Sequence, residues 1–550
     1  MKNGFLLLAA VAAAGCTSPK PPIAPDKNNG GITLPENFAA AVVVDTTGRG
    51  RHIAVNANGD IYLHLRRLSS GKKGIIALRD TDGDGRADLQ QGFSEVNGTG
   101  IEIHKGHLYY SDQTHVYRSK LTEGELLPSD QRDTVVTLVA GIGHMEKPFT
   151  FDGKGTMYVN VGSMSNACEQ PMRTPASPGA NPCTELETRA GIWAFADDKT
   201  GQVQDLSNRY ATGIRNAVAL AWNAGVDRLF AVQHGRDDLH RYWPELYTEH
   251  ENQELPSEIF FDLEKGDDMG WPYCYYDHIR GVKLMNPEYG GDGTKADLCA
   301  NVKDPLLGFP GHWAPNDILF YQGDQFPERY KHGAFIAFHG SWNRLGGRQQ
   351  GFNVVFVPMK DGRPSGPWEV FADGFIGPDP ITNPANAHFR PCGLAEGPDG
   401  SLYISDSQHG RIWRVMYYPD GVPEPVDRAL YQPTSTEPAA AAVGPGKAVY
   451  DTYCVACHMD NGLGAPGMNP PLAGTEIVNG DPSKLIDIVL NGFKEPTVIN
   501  GELYQNVMPA QAFLTDQQIA DVLTFVRSSF GNSAGPVSAE AVSRKRSPNP

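Results

Sequence analysis

The sequence predicts an all-β six-bladed β-propeller followed by a small all-α domain. Three observations carry this. An apolar strand, a Gly/Asp/Asn turn and an aromatic-rich strand recur six times between residues 33 and 418. The 61 Gly and 42 Pro favour many turns over long helices. After residue 447 the apolar spacing becomes helical. The 550 residues exceed one ordinary core, and 40% apolar content is ample for burial. With 47 Lys/Arg against 64 Asp/Glu the net charge is −17, which excludes a nucleic-acid partner, because neutralising phosphates needs clustered cations.

Residues 1–16 read as an address. Lys2 is a short basic region, Phe5 to Ala14 is apolar but too short to span a bilayer, and small residues lead to Gly15-Cys16. The segment resembles a bacterial lipoprotein signal with Cys16 as the lipidated residue, although Ala13 stands where Leu is usual. The alternative is an ordinary cleaved secretory signal. Either places the chain outside the cytoplasm, and acylation would hold it in the periplasm or at a cell surface by a membrane anchor. Residues 17–32, polar and rich in Pro, Asn and Gly, are expected to be a flexible tether.

The six copies are HIAVNANGDIYLHL from His52, IEIHKGHLYYSD from Ile101, FTFDGKGTMYVNVGS from Phe149, ALAWNAGVDRLFAVQHG from Ala219, GAFIAFHGSWNR from Gly333 and LAEGPDGSLYISDSQHGRIWRV from Leu394. Alternating hydrophobicity across a tight turn is a hairpin signal, and one such unit suits one propeller blade. A pair of β-sandwiches is the competing architecture. Residues 419–446 are a Pro/Ala-rich linker, 447–532 the helical domain and 533–550 a polar tail expected to be disordered. Thr515 to Gln518 forms a capping box, and Ile519, Val522, Leu523 and Val526 follow at helical spacing. Of eight cysteines, Cys168/Cys183 and Cys274/Cys299 are expected to form local disulfides, each adding about 3 kcal/mol. Cys392 is left over, buried and unreactive.

Cys454-Val455-Ala456-Cys457-His458 is the strongest local signal. Two thiols at this spacing can add to both vinyl groups of a haem, and the adjacent His458 then faces the iron. The second axial ligand is assigned to Met508 in NVMPAQ, with Met468 in GMNPPLAG as the competitor. A thioether there suits an electron acceptor. The whole segment resembles a class I cytochrome c domain carrying haem c.

A one-electron carrier fused to a propeller implies that the propeller oxidises something. GIGHMEKPFTFDGKGTMYVNVGS, GIRNAVALAW, GDDMGWPYCYYD, HWAPNDILFY, GAFIAFHGSWNR and FRPCGLAEGPDGSLYISDSQHGRIWRV resemble the soluble pyrroloquinoline-quinone (PQQ) sugar dehydrogenases, in the branch of the L-sorbosone and pyranose dehydrogenases. PQQ is a flat quinone with three carboxylates. Its site needs cations for these, a Lewis acid by the quinone oxygen, and a base for the substrate's hydroxyl proton. The resemblance implies His144 as that base, and Arg215 and Asn216 at the quinone edge. It implies Arg344 and Arg390 on the carboxylates, and His388 where some members carry another Arg. Gly235 and Arg236 would offer main-chain oxygens to Ca²⁺. His312 and Trp313 would roof the pocket or belong to the core.

Asp80, Asp82 and Asp84 with Gly85 fit an EF-hand-like Ca²⁺ loop, but position 12 is Gln91 and not Glu; an Asp/Gly-rich turn is the alternative. The expected function is a quinohaemoprotein. A sugar, sugar aldehyde or polyol would reduce PQQ, and haem c would feed a soluble cytochrome or a respiratory-chain acceptor. The competing classes are a calcium-dependent propeller lactonase and a binding propeller with an electron-relay cytochrome.

Overall fold

The structure is a computed structural model that describes residues 22–546, apart from 70, 142, 342, 345–347, 379, 383, 434–443, 460, 465–468 and 505–506. Six antiparallel sheets are arranged as the blades of a propeller, each beginning with its innermost strand. Blade one runs Gly50–Val55, Ile61–Leu65, Ile75–Arg79 and Leu89–Phe93. Ile61–Leu65 is buried at every position because blades cover both of its faces, so it reads as a continuous apolar run. Leu89–Phe93 (LQQGF) is exposed at its first four positions, as befits the rim. Blade two adds a short parallel strand, Gln202–Val203, from a later loop. The cores lie between blades: Tyr109, Val116 and Val135 of blade two pack on Phe149, Val159 and Trp193 of blade three.

Blade six is completed from the other end of the domain. Phe38–Val44 pairs with Ile412–Tyr417, Ala40 opposite Val415, and becomes the outermost strand. Five of the six repeated segments contain a blade's innermost hairpin. The fifth does not: GAFIAFHGSWNR holds only the second strand, Ala334–Phe338. Its partner Pro315–Phe320 lies upstream, across a long connection that includes Glu328–Tyr330.

Two segments expected to be loose are packed. Residues 22–32 lie on the propeller. Asp26 is 1% exposed, accepts from the Val42 amide at 2.7 Å and pairs with Arg428 at 2.7 Å. The described half of the linker is pinned beside them: Val426 donates to the Pro25 carbonyl and Lys27 to the Val426 carbonyl. The described part of the tail, to Arg546, is ordered as well. Ala539–Arg546 is helical, Val542 is wholly buried, and Lys545 and Arg546 pair with Asp487 and Asp516. Val542→Ala should cost the helical domain about 1–3 kcal/mol, read as a lower melting temperature of the haem band.

In the helical domain Pro445–Tyr453 crosses Asp516–Ser528, burying Val449 and Tyr450 against Phe525 and Val526. A Cβ at Gly446 would lie 2.1 Å from the Asp521 carbonyl oxygen, so this crossing admits only glycine. Both bonds of the Thr515–Gln518 capping box are made. Disulfides join Cys168 to Cys183 and Cys274 to Cys299, and Cys392 is buried. Among the described residues no helix is long and apolar enough to cross a membrane.

Candidate active site

Five of the blades, all but blade two, present described residues to one end of the central axis, from the start of the innermost strand or just before it and from the turn after the second strand. The first set supplies Arg51, His144, Asn216, Ala314 and Arg390; the second supplies Arg66, Met164, His234 and His339. They wall a funnel whose cavity measures about 190 Å³. That is below the usual range for a ligand pocket, because the helical domain fills the mouth. Cys457, Asn469, Val507 and Pro509 of that domain line the same cavity as His144 and Arg215.

His144 is held in one orientation. Its backbone amide and its ring Nδ1 both lie 3.0 Å from the Ser163 carbonyl. Nδ1 therefore carries the proton and Nε2 is left as a free base. Gly143 makes this possible: at φ +95, a Cβ there would stand 2.4 Å from the Met164 carbonyl oxygen. Burial, then the Arg215 cation, push the imidazole down to about 3, so it is neutral at any physiological pH.

Arg215 is 2% exposed and largely committed to the protein. It donates to the Asn166 carbonyl at 3.1 Å, the Gly235 carbonyl at 2.7 Å and the Asp237 carboxylate at 2.8 Å. Asn216 is buried beside it and accepts from Asn160 at 3.3 Å. Asp237 also pairs with Arg173 at 2.8 Å and accepts from Asn343 at 2.7 Å. Burial opposes its charge, but Arg215 and Arg173 prevail and hold the carboxyl well below the ordinary range.

The structure redistributes the expected cations. Arg390 lines the funnel, donating to the carbonyls of His339 and Gly340. Arg344 does not: Glu254, 90 positions earlier in the chain, pairs with it, and the Gln253 carbonyl takes a second donor. Its neighbour Asn343 lines the funnel in its place. His388 is half-buried beside Gly377 and is not on the wall. His312 lines the funnel and bonds to the Asn252 carbonyl at 2.7 Å, whereas Trp313 is core, edge-on to Phe338. Sequence reasoning missed Arg173, which is paired with Asp237, and two further cations, Arg51 and Arg66. Their signal was positional: Arg51 stands at the start of the first repeat's inner strand, as Arg390 does in the sixth. Arg51 donates to Thr99 at 3.1 Å and lies 3.9 Å from Glu146. Arg66 has no hydrogen bond or ion pair from its side chain among the described residues. Burial and then Arg51 push it down to about 10; burial, Arg66 and Arg49 push Arg390 to about 9. One carboxylate, Glu146, is set among these arginines, and Arg51 and Arg66 overcome its burial and hold it ionised, so positive charge is in excess here. Three guanidiniums facing one cavity, with Glu146 among them, give the net positive wall that a planar tricarboxylate needs.

Calcium fits less well at the 235–236 turn. The Gly235 carbonyl accepts from the Arg215 guanidinium, and the Arg236 side chain is tied to Glu288 at 2.6 Å. In the other expected loop, ligand atoms of Asp80, Asp82 and Asp88 converge within 4.8 Å, while Asp84 turns to the Arg86 amide. Asp80 accepts from the amides of Gly83 and Gly85, so hydrogen bonds already close the loop.

Burial pushes Glu258 on the funnel wall up to about 7, although the Gly235 and Ala314 amides donate to it. Its ionisation adds negative charge to the site, so affinity for a polycarboxylate should fall as pH rises through about 7. Calorimetry with PQQ at pH 6 and pH 8 reads this, and Glu258→Gln should flatten the difference.

Cys454, Cys457 and His458 share one helical turn, and the two thiols are not bonded to each other. His458 is 7% exposed, and its Nδ1 lies 2.9 Å from the Pro470 carbonyl, which leaves Nε2 for iron. Met508 pairs with Phe493 through the backbone and packs on the helical core; Met468 lies outside the described residues. This donor set fits a covalently attached haem.

Propeller and helical domain together define an oxidoreductase architecture with a c-type cytochrome on the same chain. Residues 32–418 match the family described as TrAA12-like, and residues 443–530 match cytochrome c. The chain belongs to the TrAA12-like family, fused here to a cytochrome c domain. Its propeller shares the fold of the PQQ domain of a pyranose dehydrogenase from Coprinopsis cinerea (20% identity, TM-score 0.55, covering 70% of this chain and 97% of that one). It also shares the fold of a Trichoderma reesei AA12 enzyme described as a calcium structure (19% identity, TM-score 0.57, covering 71% and 98%). An uncharacterized protein of Borreliella burgdorferi is 27% identical over 38% of this chain and 48% of its own length. The cytochrome c subunit of a quinone alcohol dehydrogenase from Gluconacetobacter polyoxogenes is 33% identical over 26% of this chain and 32% of its own. The chain thus spans half or less of these two relatives. Cytochrome c-552 of Thermus thermophilus is 35% identical over 20% of this chain and 78% of its own length.

Proposed function

We propose that the chain is a PQQ-dependent sugar dehydrogenase. Its electrons would pass to its own haem c, and then to a soluble cytochrome or respiratory-chain acceptor. The observation that carries this is a free imidazole base in a cation-walled funnel roofed by a haem-attachment turn. The relatives' names, a pyranose dehydrogenase PQQ domain and a quinone alcohol dehydrogenase cytochrome subunit, support a pyranose or related polyol substrate.

PQQ, when bound, supplies a two-electron acceptor for hydride. Arg51, Arg66 and Arg390 would bind its carboxylates, and Asn216 would face its edge. His144 Nε2 takes the substrate's hydroxyl proton as the C–H bond breaks. The Nδ1–Ser163 bond keeps that nitrogen aimed into the funnel, and the helical domain keeps bulk water out. No step is assigned to calcium, since the Gly235 carbonyl already faces the Arg215 cation. The signal segment ending at Cys16 lies outside the described residues; a lipidated, extracytoplasmic protein remains the reading its residues support.

A propeller lactonase would need carboxylates around an axial metal. Among the described residues the group of three is Asp80, Asp82 and Asp88, in the loop between the third and fourth strands of blade one, away from the funnel mouth. The deciding test is the visible spectrum of the purified chain with PQQ, Ca²⁺ and a panel of aldoses and polyols. Growth of the reduced haem c band only when quinone and a sugar are both present is expected. An intact haem that no sugar reduces, in protein that fails to bind PQQ by calorimetry, would remove the assignment.

A further inference from the structure

Among the described residues, two of the contacts between the domains involve arginines that the funnel chemistry does not use. Arg241, on the short helix Leu239–Tyr242 after the Asp237–Asp238 turn, donates to the carbonyl of Tyr453, the residue before Cys454. Its side chain is 10% exposed, and it also faces Asp238 at 3.9 Å. On the opposite side of the mouth, Arg67 of blade one pairs with Glu502 on the hairpin Thr497–Ile499/Glu502–Tyr504, just ahead of Met508. Neither Arg241 nor Arg67 lines the cavity, although Arg66 and Arg173 beside them do. One contact fixes the turn that carries the thiols. The other fixes the hairpin leading to the assigned axial methionine.

We propose that Arg241 and Arg67 are positioning residues for electron transfer, a two-point clasp that seats the haem-attachment face of the cytochrome domain over the funnel. This rests on the dehydrogenase reading above. Substrate oxidation releases two electrons, whereas the haem iron accepts one at a time, ferric to ferrous. An external one-electron acceptor must reoxidise the iron between the two transfers. Electron tunnelling falls steeply with separation, so the clasp governs this step and not hydride transfer. The seam also holds balanced charge. Arg173 pairs with Asp237 and Arg241 faces Asp238 on the side of the propeller nearest Cys457, so removing the Arg241 charge leaves a carboxylate uncompensated beside an attached haem, which disfavours the ferrous state.

The test uses the full haem-loaded chain and the variants Arg241→Gln, Arg67→Gln and the charge swap Arg67→Glu with Glu502→Arg. Chemically reduced PQQ is the electron donor in stopped flow, and haem reduction is followed at the α-band. Both single variants should slow that reduction at least about tenfold, as for loss of a charged contact at an interface. The swap should recover most of it. Sugar-driven turnover with a small artificial dye acceptor should stay unchanged in all of them, because the clasp lies outside the funnel. Without any quinone, Arg241→Gln should lower the haem midpoint potential and raise amide exchange across residues 453–458. Normal haem reduction in both single variants, or slowed reduction with neither a shifted potential nor raised exchange, would overturn the clasp. Loss of PQQ binding or of dye-linked turnover in the unmutated chain would instead count against the dehydrogenase reading. The quinone-free potential and exchange would still judge the clasp.

Discussion

His144→Gln is expected to slow substrate-driven haem reduction by about 10²–10⁴-fold, the usual worth of a positioned general base. Haem content, PQQ binding and melting temperature should be nearly unchanged. Gln can still donate to the Ser163 carbonyl, so the local frame survives, but it offers no basic nitrogen at the position of Nε2. The unmutated chain should show no rate change near pH 6.5 from this residue, since burial and Arg215 hold its imidazole neutral down to about 3. A pre-steady-state trace of haem reduction reads the effect directly. Reduction at the normal rate would show that another group takes the proton, or that electrons reach the haem without chemistry in the funnel.

The second large effect has opposite signs for stability and for binding. Arg66 stands in a cluster with Arg51, Arg49 and Arg390, and the cluster depresses its own members. Without a bound anion these charges repel one another while partly desolvated, which costs stability. Arg66→Met should therefore raise the melting temperature of the quinone-free protein, and it should weaken PQQ binding about 10- to 100-fold, the worth of one charged hydrogen bond. PQQ itself should stabilise the unmutated chain strongly, by preferential binding to the folded state, and the variant much less. Differential scanning fluorimetry with and without PQQ measures both. A lower melting temperature for the quinone-free variant would mean that Arg66 is a structural cation, and the assigned cradle would fail.

Legibility in the sequence followed how local each determinant is. Covalent haem attachment needs two thiols and a ligand on one turn, so Cys454, Cys457 and His458 could be found by spacing alone. The blades could be counted because a hairpin is local; blade five was half-recognised because its first two strands are far apart in the chain. Strand Phe38–Val44 went unassigned because its partner lies at the other end of the propeller. The funnel cations were the hardest. Arg344 sits in a suggestive motif, yet its direction is set by Glu254, and only the tertiary fold brings that partner close. Arg51 and Arg66 carry no motif, and only their place relative to the strands of blade one identifies them. The order of the tail likewise depends on Val542 finding the helical core, which polar composition concealed.

The borrowed outer strand of blade six has a consequence for biosynthesis. Phe38–Val44 reads FAAAVVV, an uncharged β-prone stretch made among the first residues of the domain. Its partner strand, Ile412–Tyr417, is made last, so throughout translation this segment is an unsatisfied edge of the kind that seeds aggregation. Ring closure then brings together the two ends of the domain in one slow, highly non-local event. Until that event the funnel has no complete wall and the cytochrome no finished surface to sit on. A newly made chain is thus kept from electron transfer by the order of its own assembly, and a nick between Asp45 and the first blade would reopen the circle.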